Sequence, residues 1–296
     1  MKVPVTILRA GIITTVAGAP LVEQSANPTY FFTFGNSYTM TSFSASGEQP
    51  SPSNPMGNPS LGTGTTTGGI NWVGYLTTQQ NTSLVQSYNL AIGGASIDNE
   101  IIKTQSPDMV SQVNTFQNVY SQKPESAPWT GENAVFGFWI GINDAGWGYS
   151  STDANQIVPK LMDRYESLIE NIYNDGGRKF LLINVPPTSR SPNFISQGED
   201  AMAKHAAWVD VFNKELASMI EGFKGKHSDV TTVLYDSYAF MSKVLNSPTE
   251  YEFPDATCID DDGERCVWWN DYHPGKKYHR FQAEDMKGVL GSLGPW

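Results

Sequence analysis

The chain has 296 residues, of which 17% are charged, and a formal net charge of -11. This length suits one large hydrophobic core, and no linker divides the chain near its middle. Nucleic-acid binding requires clustered lysine and arginine, and because the sequence has no such cluster we exclude a nucleic-acid partner. The acidity favours a protein that stays soluble in an acidic extracellular medium.

The N-terminus has the pattern of a secretory signal. Two basic residues precede an apolar stretch over residues 10–19, which is long enough for a signal peptide and too short to span a bilayer. Its small terminal residues predict removal of residues 1–19, although the following proline favours a later cut towards Ala26. The alternative is an ordinary buried first strand or helix. We predict a secreted protein with a single domain over residues 27–296 and no membrane span.

Apolar β-rich runs alternate with helical patterns along the rest of the chain. Strands are predicted at Tyr30–Phe34, Ser87–Ile92, Ala134–Ile140, Phe180–Val185 and Val230–Tyr235. Helices are predicted at about Ile70–Thr78, Met109–Ser121, Gln156–Tyr173, Asp200–Phe223 and Phe281–Leu290. This alternation predicts an α/β fold with a doubly wound, mostly parallel five-stranded sheet and helices on both faces. The segment Gln49–Gly69 has no periodicity and predicts an ordered loop near the substrate mouth, or a plain variable loop.

Four short segments carry the residues of a Ser-His hydrolase. Three follow predicted strands: Gly35-Asn36-Ser37, Gly93-Gly94-Ala95-Ser96 and Gly141-Ile142-Asn143-Asp144. The fourth, Asp271-Tyr272-His273-Pro274, lies near the C-terminus. Ligands of doubly wound sheets bind outside the carboxyl ends of the strands, where backbone N–H groups and a side-chain amide are available.

Ser37 is the candidate nucleophile and His273 its base. A serine hydroxyl is a poor nucleophile until an imidazole within hydrogen-bond reach takes its proton. The other histidines, His205, His227 and His279, fall within or beside predicted helices and are interpreted as surface or structural residues. The alternative for Ser37 is a turn serine that caps the following helix.

In this order the four segments resemble the SGNH (GDSL-type) hydrolases, and their wording is similar to that of the fungal acetylesterases of carbohydrate esterase family sixteen. The resemblance covers roughly Tyr30 to the C-terminus. It implies an oxyanion hole made by the Ser37 N–H, the Gly94 N–H and the Asn143 side-chain amide. Gly93 is the rival to Gly94, and the alternative for Asn143 is a turn residue. No metal or organic cofactor is implied.

Two positions differ from the wider superfamily. Asn36 replaces an aspartate, a change that the fungal branch tolerates. Asn270 stands where an aspartate usually orients the histidine, and Asp271 follows it. Asparagine can accept a bond from the imidazole N–H but cannot offset the imidazolium charge. The orienting group is therefore Asn270, Asp271, or neither, in which case the enzyme works as a Ser-His dyad.

Cys258 and Cys266 enclose a short acidic loop that predicts a local disulfide in an oxidising compartment. A calcium site on this loop is the alternative, although the acidic residues do not have the spacing of a calcium loop. Asn81-Thr82-Ser83 is a glycosylation sequon.

Trp147 and Trp268 are predicted to line the cleft, because flat aromatic faces suit sugar rings. We predict a secreted, monomeric acetylesterase that acts on acetylated carbohydrate or other small esters. The alternatives are a general short-chain lipase or arylesterase, and a carbohydrate-binding relative without turnover.

Overall fold

The computed structural model describes residues 28–296, so the predicted signal peptide lies outside the described residues. Five strands form one sheet: β1 (Thr29–Gly35), β2 (Val85–Asn89), β3 (Ala134–Trp139), β4 (Lys179–Ile183) and β5 (Thr231–Tyr235). Their order is β2-β1-β3-β4-β5, and all neighbours pair in parallel. The predicted fold class is confirmed.

Helices connect the strands. Within residues 28–296 they are α1 (Trp72–Thr78), α2 (Met109–Val119), α3 (Ile142–Gly148), α4 (Ala154–Asn174), α5 (Pro192–Gln197), α6 (Glu199–Lys226), α7 (Ser237–Asn246) and α8 (Lys276–Leu290). Short 3₁₀ segments lie at Thr188–Arg190 and Pro248–Tyr251. Helix α1 packs on α8, while α4 packs on both α2 and α6. None of the helices in this part of the chain is long and apolar enough to cross a membrane.

Helices on both faces explain why β1 and β3 carry apolar side chains on both sides of the sheet. Phe32 of β1 stacks on Phe136 of β3 with ring centroids 5.3 Å apart. The neighbouring Phe31 contacts the other layer, with its ring centroid 6.0 Å from that of Trp72 in α1. Successive side chains of a strand point to opposite faces, so both must be apolar when both faces are covered.

The strand order places three strand ends together. From β1 the chain moves outward to β2 and then crosses back to β3 on the other side of β1. The direction of winding therefore reverses between β1 and β3, and a crevice forms at the carboxyl ends of such strands. The segments that follow β2, β1 and β3 carry Gly94, Ser37 and Asn143 respectively.

The helix predictions were incomplete. Helices α3, α5 and α7 were not predicted, and α8 begins at Lys276 rather than Phe281. Helix α3 contains two glycines and α5 has only six residues, so neither shows an extended helical period in the sequence.

Candidate active site

The turn that carries Ser37 is fixed by a glycine at the end of β1. Gly35 has a φ of +148°, and a methyl group there would lie 2.2 Å from the Trp139 carbonyl oxygen. The Gln112 side chain of α2 accepts from the Gly35 N–H and donates to the Gly35 carbonyl, both at 2.8 Å. Only glycine fits this position, and the buried amide holds it to the helix.

Asn36 shapes the next step of the turn. Its side-chain Oδ1 accepts from the Tyr38 N–H at 3.0 Å, and its carbonyl accepts from the N–H groups of Thr39 and Met40. An aspartate would offer the same acceptor, so the asparagine preserves the turn. Ser37 itself is only 8% exposed.

His273 lies against Ser37. Its Nε2 is 2.8 Å from the Ser37 Oγ, and its Nδ1 is 3.1 Å from the Asn270 Oδ1. The same Oδ1 accepts from the backbone N–H groups of Tyr272 and His273, at 2.9 and 2.7 Å. Because backbone N–H groups can only donate, the amide must present its oxygen to the ring. Nδ1 therefore carries the proton, and Nε2 is left to accept from the serine.

Asp271 has a different position. Its side chain is exposed, and its carbonyl oxygen accepts from the Asn193 N–H at 2.8 Å. Burial lowers the pKa of His273 to about 4, and the nearby charge of Asp271 partly opposes this shift. Asp271 therefore acts on the imidazole through space, whereas Asn270 contacts it.

The Gly93-Gly94 segment forms a tight turn after β2. The Ala95 N–H bonds to the Ile92 carbonyl at 3.2 Å, and Gly94 has a φ of +79°. The Gly93 N–H contacts the Met40 Sδ at 3.1 Å, whereas the Gly94 N–H has no acceptor within residues 28–296. This difference favours Gly94 over Gly93 as a donor to a ligand.

Asn143 lies in the first turn of α3. Its Nδ2 donates to the Ala95 carbonyl at 2.9 Å, which leaves its second amide hydrogen available. The neighbouring Asp144 is buried and accepts from the Ile97 N–H at 3.1 Å. Burial raises the pKa of Asp144 to about 7. Two adjacent side chains of α3 thus hold the loop that carries Gly94.

The two predicted substrate-binding tryptophans have different environments. Trp147 is 58% exposed on α3 and lines a groove that also includes Asn143. Trp268 does not line the cleft, because it is 0% exposed and its Nε1–H bonds to the Ala256 carbonyl at 2.8 Å. The adjacent Trp269 has its ring centroid 6.5 Å from that of His273.

A disulfide joins Cys258 to Cys266, with their Cα atoms 5.3 Å apart. It closes the loop that leads into the histidine segment. The Trp269 N–H bonds to the His273 carbonyl and the Gly275 N–H to the Val267 carbonyl, both at 2.8 Å.

The acidic residues of this loop bind its own backbone. Asp262 accepts from the N–H groups of Glu264 and Arg265, at 2.6 and 3.1 Å. Within residues 28–296 no group of three or more histidine, cysteine, aspartate or glutamate side chains is placed to hold a metal ion.

Sequence reasoning missed several residues that support the site. Gln112 holds the serine turn, Thr66 donates to the Ser37 carbonyl at 2.8 Å, and Met40 contacts the glycine turn. Gln112 had a usable signal, because it is a polar residue on the apolar face formed by Met109, Val113 and Phe116. The Thr66 contact places the Gln49–Gly69 loop beside the nucleophile.

Three adjacent strand ends meet at the site and carry the serine turn, the glycine turn and an asparagine. Together with a histidine from the C-terminal segment, they define an esterase of the SGNH type. The family model described as GDSL-like Lipase/Acylhydrolase matches residues 31–286. The chain is 38% identical over 269 residues to an acetylesterase from Thermothelomyces thermophilus, across 90% of this chain and 89% of that protein. The chain therefore belongs to the GDSL-like lipase/acylhydrolase family and is a serine esterase.

More distant likenesses agree with this assignment. A thermolabile hemolysin from Vibrio parahaemolyticus is 24% identical over 77% of this chain and 56% of its own length. The crystal structure of Axe2, an acetylxylan esterase from Geobacillus stearothermophilus, superposes with a TM-score of 0.53 at 12% identity, over 89% of this chain and 94% of that chain. At this identity the structural likeness concerns the fold alone.

Proposed function

We propose that this protein is a secreted acetylesterase that removes acetyl groups from sugar hydroxyls by a Ser-His acyl-enzyme mechanism. The observation that carries the mechanism is the chain of contacts from Ser37 through His273 to Asn270. The fungal relative named acetylesterase supports acetyl as the acyl group that is removed. The N-terminal pattern and the disulfide support secretion, since disulfides persist in oxidising compartments.

Acylation begins when the Ser37 hydroxyl gives its proton to the His273 Nε2. The Ser37 Oγ then bonds to the acetyl carbonyl carbon, and the carbonyl π electrons move to the oxygen. When the tetrahedral intermediate collapses, the bond to the sugar oxygen breaks and His273 returns the proton to that oxygen. Water repeats the sequence on the acetyl-enzyme, which releases acetate and restores Ser37.

The oxyanion hole takes the charge that develops on the carbonyl oxygen. Ser37 and Gly94 supply backbone N–H groups that have no acceptor within the described part of the chain. Asn143 supplies its second amide hydrogen while the first is held by Ala95. Donors that are fixed before the reaction need no reorganisation, and loss of one such donor costs about 10²- to 10³-fold in rate.

Asn270 replaces the usual aspartate without changing which imidazole nitrogen carries the proton. In a serine protease an aspartate-to-asparagine change costs about 10⁴-fold because the ring takes the wrong tautomer. Here two backbone N–H groups fix the Asn270 amide with its oxygen towards Nδ1. The required tautomer is therefore kept, and only the electrostatic stabilisation of the imidazolium is lost.

The mechanism is tested with nitrophenyl acetate. Ser37→Ala is expected to lose hydrolysis and the burst of nitrophenol, with an unchanged melting temperature, because alanine keeps the backbone of the turn and the hydroxyl hydrogen-bonds only to His273 within residues 28–296. His273→Ala is expected to lose activity to the same extent. A folded Ser37→Ala protein that keeps its turnover would reject this nucleophile, and a wild-type protein without burst or turnover would favour a non-catalytic relative.

The substrate class is tested by varying the acyl chain. Acetyl esters are expected to react at least about tenfold faster than butyryl esters, because one methylene is worth about 10- to 200-fold in a fitted pocket. Acetylated xylo-oligosaccharides are expected to be hydrolysed. A chain-length optimum at about eight carbons would instead indicate a lipase.

A further inference from the structure

A groove with a volume of about 430 Å³ opens beside the site, between α3 and α5. Asn143 and Tyr272 are among its lining residues, so it adjoins the proposed oxyanion asparagine and the histidine segment. Its walls include Trp147 and Tyr149 from the α3 side and Asn193 and Gln197 from α5. This volume falls in the range of ligand pockets.

The lining of the groove is uncharged. It consists of aromatic rings, side-chain amides, a serine and a glycine. Trp147 is the most exposed of the large hydrophobic side chains in the described part of the chain. An exposed indole beside several amides combines a flat apolar face with hydrogen-bonding groups, which together suit a ring that carries hydroxyls.

The polar groups of the groove are held in place before any ligand arrives. Tyr149 Oη donates to Gln197 Oε1 at 3.0 Å, and Gln197 Nε2 donates to Asn193 Oδ1 at 2.9 Å. This chain orients both amides and leaves the Asn193 amide hydrogens for a ligand. Preorganised donors lose less entropy when they bind.

The groove lies beside the segment that carries His273. The leaving oxygen must be within reach of His273 Nε2 to receive its proton. Tyr272 precedes that histidine and lines the groove, and the Asn193 N–H bonds to the Asp271 carbonyl at 2.8 Å. Helix α5 is thus attached to the segment that carries His273, so an alcohol that takes its proton from His273 leaves beside this wall of the groove.

We propose that this groove is the subsite for the alcohol part of the substrate and selects a neutral sugar. The proposal rests on the proposed function. Trp147 stacks on the sugar ring, and Asn193 and Gln197 bind its hydroxyls. The lining offers no cation for a phosphate or a uronate carboxylate, and the net charge of -11 further disfavours an anionic alcohol.

The experiment compares three acetyl esters: ethyl acetate, an acetylated xylo-oligosaccharide and an acetylated galacturonate oligosaccharide. The ethyl group is too short to extend along the groove, so ethyl acetate reports the chemistry alone. Trp147→Ala is expected to lower kcat/KM for the xylo-oligosaccharide about tenfold, mainly through KM, and Gln197→Ala about threefold. Both variants are expected to lose much less activity with ethyl acetate than with the xylo-oligosaccharide, because the ethyl group does not extend along the groove.

Ile195→Ala is the matched control. Ile195 is an exposed residue of α5, the helix of Gln197, and it does not line the groove. Its kinetics with all three esters are expected to match those of the wild type. Wild-type enzyme that hydrolyses ethyl acetate but neither oligosaccharide would reject the sugar substrate of the proposed function. If the wild type hydrolyses the xylo-oligosaccharide and both groove variants do so equally well, the subsite is overturned while the proposed function stands. A preference for the galacturonate ester would overturn its selection for neutral sugars.

Discussion

The serine turn and the histidine segment hold the two ends of one hydrogen bond in different ways. Ser37 follows closely on the interior strand β1, and its turn is held by Gly35 and the buried Gln112. His273 lies in an irregular segment that is held by a disulfide, by isolated backbone bonds and by the Asn270 side chain. The sheet therefore fixes the proposed nucleophile, whereas local contacts fix the proposed base.

This difference separates two kinds of sensitivity. A substitution at the serine turn disturbs close-packed backbone and strains the sheet. The loops around the histidine segment are partly exposed and can adjust to a substitution there. We therefore expect such a substitution to reduce catalysis more than stability.

The largest effect is expected from Gly35→Ala. The new methyl group would lie 2.2 Å from the Trp139 carbonyl, at a φ that alanine disfavours. We expect the free energy of unfolding to fall by at least about 3 kcal/mol. Activity of the remaining folded protein should fall about 100-fold, because a displacement of about 1 Å at the reacting atom costs that much.

Denaturant unfolding and nitrophenyl acetate hydrolysis measure both effects. Gly222→Ala in α6 is the control, since it has open space around it and a helical position where alanine is preferred. A Gly35→Ala protein with wild-type stability would show that the serine turn is not rigid.

The next effect is expected from Asn270→Ala. It removes the acceptor for the His273 ring and for two backbone N–H groups, so activity should fall about 10- to 100-fold with less than about 2 kcal/mol lost from the free energy of unfolding. Asp271→Ala should stay within about twofold of wild type, because this side chain does not contact the ring.

Asn270→Asp completes this comparison. It keeps the acceptor and adds a charge that stabilises the imidazolium, so we expect activity at neutral pH to rise. Equal and negligible effects of Asn270→Ala and Asp271→Ala would indicate a Ser-His dyad that needs no orienting side chain.

A smaller effect is expected from opening the disulfide. Cys258→Ser with Cys266→Ser should lower kcat about two- to tenfold, because the loop leads into the Trp269 and His273 backbone contacts. A bridge across so few residues restrains little chain entropy, so the loss of stability should be about 2 kcal/mol. Mass spectrometry of protein purified without reductant should find no free thiol, and two free thiols would contradict the pairing.

The sheet was predictable because buried parallel strands are apolar runs between turn residues. The predicted strands lie within a few residues of the observed ones, and the segments at three of their ends meet as expected. Irregular segments have no such period, so the sequence left Asn270 and Asp271 as equal candidates and did not show that Trp268 is buried. The groove residues Asn193 and Gln197 lie on a helix too short to be recognised.

Acid lowers stability as well as activity, and the two must be measured separately. Burial lowers the pKa of His205 to about 4 and that of His279 to about 3, from an ordinary value of 6.5. Below pH 6.5 these two histidines and His273 bind more protons in the unfolded chain, and together they outweigh Asp144, whose raised pKa of about 7 acts in the opposite direction. The free energy of unfolding should fall as the pH drops from about 6.5 towards these values.

The smallest effect concerns the pH dependence of catalysis. His273 acts as a base only when neutral, and burial lowers its pKa to about 4, so kcat/KM should rise with pH through about 4 and then level off. The charge of Asp271 raises this pKa, so Asp271→Asn should move the acid limb to lower pH by less than about one unit. Asn270→Asp should move the acid limb to higher pH, because a carboxylate beside Nδ1 favours the imidazolium.

Asp163→Asn on α4 is the control. It removes one charge from an exposed helix position and should leave the acid limb unchanged. An acid limb that stays fixed in the Asp271 and Asn270 variants, in protein whose melting temperature shows it to be folded, would mean that another group controls the titration.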